Sequence, residues 1–150
     1  MAVLEVPFPG ALTGTINAIV TDPNDPGTPQ TIIERDDDWH VIVDWQIDGP
    51  LAPFMAGEFT VKCYLESVAE SSFEGQIGPT FAVNLNNAPA LPTPRKYHAD
   101  FDMLAASNPP AGVYKLTTVL TYKNLGVPLE LAGFVEGPMI QLYDKVLSNP

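Results

Sequence analysis

At 150 residues the chain has the length of one domain, large enough to bury about two-thirds of the surface its unfolded form would expose. An apolar content of 45% excludes a disordered chain, and 16 prolines with 11 glycines suit short strands joined by turns better than a helical bundle. The net charge of -11 gathers in residues 1–89, where thirteen acids face two bases, so the chain repels phosphate backbones and nucleic-acid binding is not expected.

The amino terminus, Met1 to Pro7, lacks the basic start and continuous apolar run of a secretory leader. No later run approaches the roughly 18 apolar residues of a membrane span. The expectation is a cytoplasmic chain without a span, although an exported chain whose leader had been removed would read the same. Cys63 is the only cysteine, which rules out an intrachain disulfide and leaves stability to packing.

Residues 11–20 read as a first strand, weakened by Gly14. Thr21 to Pro29 reads as a polar connection, with a short extended piece at Thr31 to Glu34. Trp39, Val41, Val43, Trp45 and Ile47 then recur with a period of two, placing five large apolar groups on one face of a strand. Two indoles in one row require a second layer to cover them.

Gly49-Pro50 closes that strand. Glu58 to Ser67 resumes the alternation with Phe59, Val61, Cys63 and Leu65 inward. Ser71 to Gly75 is a turn or loop, and Thr80 to Leu85 a further strand. Asn86 to Pro94 interrupts every periodicity and reads as a crossover. Tyr97, Ala99, Phe101 and Met103 share the next inward face, with one helical turn at most between Met103 and Ser107. Three strands follow: Val113 to Tyr122, Leu129 to Val135 and Met139 to Tyr143.

This pattern predicts an all-β chain, a two-layer antiparallel β-sandwich with immunoglobulin-like or jelly-roll topology, forming a single domain over 1–150. A closed barrel is the structural rival. Two fragments echo one another. Met55 to Val61 matches Pro110 to Leu116, and Ile77 to Phe81 matches Glu136 to Ile140, as duplicated halves or shared turn chemistry would produce.

The sequence carries no nucleophile elbow, phosphate-cradling loop or His-Glu-x-x-His helix, so no enzyme and no catalytic residues are expected. The acidic residues Asp22, Asp25, Asp36, Asp37 and Asp38 crowd two neighbouring turns. They form a candidate calcium site, though without the ligand spacing of an EF-hand. His40 and His98, with Asp44, Asp100 or Asp102, offer the donors of a zinc site on an outer strand face. No other cofactor is implied.

The favoured function is a noncatalytic structural or assembly module making protein–protein contacts, including self-association through the apolar segment 129–135. The alternative is a carbohydrate-binding module, calcium-dependent or not, that uses exposed tyrosines or tryptophans.

Overall fold

Strict two-residue alternation decides which side each long strand turns inward, and the computed structural model follows it closely. It describes residues 2–6, 10–22, 25–69, 71–85, 93–124 and 127–144. Its strands are β1 (Ala2–Val3), β2 (Thr13–Asp22), β3 (Asp25–Pro29), β4 (Ile32–Glu34), β5 (Trp39–Asp48), β6 (Glu58–Ala69), β7 (Glu74–Asn84), β8 (Arg95–Met103), β9 (Gly112–Asn124) and β10 (Val127–Tyr143). Single 3-10 turns lie at Ala52–Phe54 and Ala105–Ser107.

The strands form two sheets. One runs β1-β2-β5-β8, with β3 paired onto β2; the other runs β4-β10-β9-β6-β7. Among the described residues, all pairings are antiparallel except that of β4 with the end of β10. Glu5 bridges to Ala132 of β10 by two backbone hydrogen bonds, of 2.7 and 3.1 Å. The amino-terminal segment thus belongs to both layers, and the sheets curl together along that side.

The inward rows meet as the alternation requires. Trp39, Val41, Val43, Trp45 and Ile47 are at most 2% exposed, and Phe59, Val61, Cys63 and Leu65 at most 1%. Trp45 meets Phe59 of the opposite sheet edge-on, with ring centroids 5.8 Å apart, and Phe81 meets Phe101 in the same way at 4.6 Å. Edge-to-face contacts of this kind add about 1 kcal/mol each to the area they bury. Tyr114, Leu116, Thr118, Leu120 and Tyr122 complete the interior from β9. Near the start of that strand, the Tyr114 hydroxyl donates to the Pro110 carbonyl at 2.6 Å.

Buried Arg95 secures one end of the sandwich. Its Nη1 donates to the carbonyls of Ala52 at 3.2 Å and Met55 at 2.7 Å, and its Nη2 donates to Leu85. Loop carbonyls with no ladder partner are thereby satisfied by a charged donor.

Several expectations need correction. Residues 25–29 are not a plain connection but β3, which pairs at the margin of β2, where prolines are tolerated. The segments 129–135 and 139–143 are one strand. It continues past Gly137-Pro138 because the register shifts between Glu136 and Met139 and Gly137 takes a φ of +100°. Gly78-Pro79 likewise falls in a register irregularity of β7, with Gly78 at a φ of +72°. One half of the internal echo therefore coincides with a register irregularity in each of the two strands. Segment 129–135 is not an open edge at Ala132, since β9 flanks it on one side and Glu5 on the other. Most of the expected crossover, residues 86–92, lies outside the described residues.

Candidate functional site

The alternation that buries Trp39 and Val41 turns His40, Ile42, Asp44 and Gln46 to the opposite face of β5. On β8 it does the same for Lys96, His98, Asp100 and Asp102. The antiparallel register then sets Asp102 across from His40, Asp100 across from Ile42, and His98 across from Asp44. On the other flank, β2 places Thr21 beside His40, Ile19 beside Ile42 and Asn17 beside Asp44. A polar outer face results, with two isoleucines in its middle.

Two imidazole–carboxylate groupings occupy this face. His40 Nδ1 lies 2.9 Å from Asp100 Oδ1 and 2.8 Å from Asp102 Oδ1. His98 Nδ1 lies 2.7 Å from Asp44 Oδ1. The His40 side chain is the more enclosed imidazole, at 23% exposure against 58% for His98. Donor atoms of His40, Asp100 and Asp102 all lie within 4.8 Å of one another. Asp102 also borders a concavity of about 250 Å³ formed with Ile77, Gly78, Pro79, Met103 and Leu104.

The other acidic candidates are placed differently. Asp36, Asp37 and Asp38 are exposed in the turn between β4 and β5. Asp38 Oδ1 accepts the backbone N–H of Ala105 at 2.7 Å, which holds this turn against the one that follows β8. The Asp37 carbonyl accepts from Asn108, whose own side-chain oxygen takes the Trp39 indole N–H at 2.8 Å. The Asp38 carboxylate thus has a structural task, whereas Asp37 contributes its main-chain carbonyl. The side chains of Asp22 and Asp25 lie outside the described residues.

The aromatic platform expected for a sugar ligand is not formed by the tryptophans. Trp39, Trp45, Tyr114 and Tyr122 are all buried, because their inward row is the core. Among the described residues, the strongly exposed rings are Phe54 and Phe134, with Tyr143 less so. Phe134 flanks a groove of about 490 Å³ with Ala2, Val3, Val119 and Ala132. The thiol of Cys63 is sealed in the interior, where burial pushes it up to about 12, and a thiol so rarely ionised is not a nucleophile at neutral pH.

No protein-family model matches the chain, and no curated protein matches it. Among solved structures, the chain resembles part of a β-glucosidase from Listeria innocua. The complex with glucose gives a TM-score of 0.51 at 12% identity, covering 89% of this chain and 17% of that one. The complex with gluconolactone gives 0.50 at the same identity and coverage. At this identity the likeness is one of fold, and the chain spans 17% of the enzyme's length. Among the described residues, no helix is long and apolar enough to cross a membrane.

Proposed function

We propose that the chain is a noncatalytic carbohydrate-binding module that presents the outer face of β2, β5 and β8 to a hydroxyl-rich ligand. The observation that carries this reading is the composition of that face. His40, Asp44, His98, Asp100 and Asp102 surround the half-buried Ile19 and Ile42. Carboxylates accept hydrogen bonds from sugar hydroxyls and imidazoles either donate or accept them, while the aliphatic patch suits the C–H side of a sugar ring. Likeness to a β-rich portion of a glucosidase supports the same direction, since such a portion can accompany carbohydrate chemistry without performing it.

The wiring supports an immunoglobulin-like rather than a jelly-roll reading. One layer carries β2-β5-β8 and the other β10-β9-β6-β7, the order of A-B-E against G-F-C-C′ in such sandwiches. The Tyr114–Pro110 hydrogen bond stands at the start of the strand that corresponds to F, where a tyrosine corner is found.

A glycan array probed with the purified chain tests the proposal. Retention of a defined oligosaccharide class, weakened by Asp100→Asn, supports it; no retained glycan would remove it. A second reading, self-association, is favoured by Val3 and Phe134, which are 80% and 59% exposed beside the groove. Light scattering across a wide concentration range distinguishes it, because a strictly monomeric chain would leave that groove without a second copy.

A further inference from the structure

We propose that His40, Asp100 and Asp102 form a zinc-type divalent-cation site, with Thr21 orienting the imidazole. A single ring nitrogen has one proton to give or one lone pair to share. Here Nδ1 faces two carboxylate oxygens, at 2.9 and 2.8 Å. The two aspartates are two residues apart on one strand face, so their charges repel where they converge. A cation between the three donors resolves both conflicts.

The donor set selects the class of ion. Zinc and its neighbours in the first transition row accept imidazole nitrogen together with carboxylate oxygen, at about 2.0–2.2 Å, and are satisfied by three protein ligands and an open fourth position. Calcium wants about six to eight oxygens, which an imidazole and two carboxylates on a sheet face do not supply. Both carboxylates stand at exposed positions, so their side chains are free to turn onto the smaller ion.

An independent observation comes from β2. Thr21 is wholly buried, and its hydroxyl oxygen has no hydrogen-bond partner. It stands directly across the ladder from His40 on the same face. A histidine that binds metal through one nitrogen carries its proton on the other, and that N–H is ordinarily taken by a neighbouring oxygen, which fixes the tautomer. The Thr21 hydroxyl makes no hydrogen bond to His40 as the ring stands, and on this proposal it becomes the acceptor for Nε2–H when the imidazole turns to hold the ion through Nδ1. The His98–Asp44 pair, with one carboxylate and greater exposure, serves as an internal control.

Calorimetric titration of the full chain with zinc chloride, alongside long-range proton–nitrogen NMR of the two imidazoles, tests the site. The expected result is saturable binding at one ion per chain, with the His40 ring nitrogens shifting and those of His98 unmoved. His40→Asn and Asp102→Asn should each weaken binding at least about tenfold, and Thr21→Val about tenfold at unchanged stoichiometry. His98→Gln should leave it within about twofold. The proposal is overturned if no stoichiometric binding occurs, if calcium binds in preference, or if only the His98 ring responds. The NMR arm uses the unmutated chain, so a variant that misfolds does not obscure the answer.

Discussion

Leu4 fills the space that a side chain at Gly133 would need. A Cβ built on Gly133 would lie 2.3 Å from Leu4 Cδ2, and one on Gly14 would lie 2.5 Å from Leu4 Cδ1. Gly14 belongs to one sheet and Gly133 to the other, so a single leucine wedges between the layers where the amino-terminal segment crosses them. Gly133→Ala should therefore destabilise the chain by about 1–3 kcal/mol through overpacking. Leu4→Ala in the same background should recover part of that loss, giving a coupling readable in a urea double-mutant cycle. Gly14→Ala should recover less, because its Cβ also meets the Gln46 carbonyl oxygen at 2.8 Å.

Tyr114→Phe removes the hydroxyl that reaches Pro110 and leaves a carbonyl short of a partner. A loss of about 1 kcal/mol in chemical denaturation is expected, with the native fold retained. An unchanged midpoint would mean that this hydrogen bond has no net worth.

Arg95→Leu should cost more, about 3 kcal/mol, because it strips the carbonyls of Ala52, Met55 and Leu85 of a charged donor at one stroke. Hydrogen exchange should show the loss first as faster opening around the turn at Ala52–Phe54.

Burial raises the Cys63 thiol from 9.0 to about 12. In that interval the folded chain keeps a proton that the unfolded chain releases. Stability contributed by the buried thiol is complete below about pH 9 and declines as pH rises towards 12, by at most about 1.4 kcal/mol per unit. Tyr97 and Tyr122, both raised by burial, act in the same direction from about pH 10 upward. Cys63→Ala should flatten the thiol's share of the slope. Alkylation of the native thiol at pH 8 should proceed no faster than unfolding.

Strands were legible wherever a period of two ran undisturbed. The rows from Trp39, Phe59, Tyr97 and Tyr114 read correctly because burial on one face alone writes that alternation. β1 and β3 carry no such signal, because Ala2–Val3 is too short to show a period and Asp25–Pro29 carries turn residues in a marginal pairing. The continuity of β10 was hidden by Gly137-Pro138, which reads as a break yet is accommodated as a bulge. The members of the His40 cluster were visible as donors on outer faces. Their convergence depends on the β5–β8 register, which no local signal carries. Conversely, the tryptophans read both as core and as a sugar platform, and the two layers need them as core.

The most direct test of the carbohydrate-binding account is a backbone amide NMR titration of the isotope-labelled chain with a panel of soluble oligosaccharides. Saturable shifts clustered at His40, Ile42, Asp44, His98, Asp100 and Asp102 are the predicted result. A spectrum that stays unmoved at millimolar sugar, or shifts confined to Val3 and Phe134 beside the groove, would contradict it.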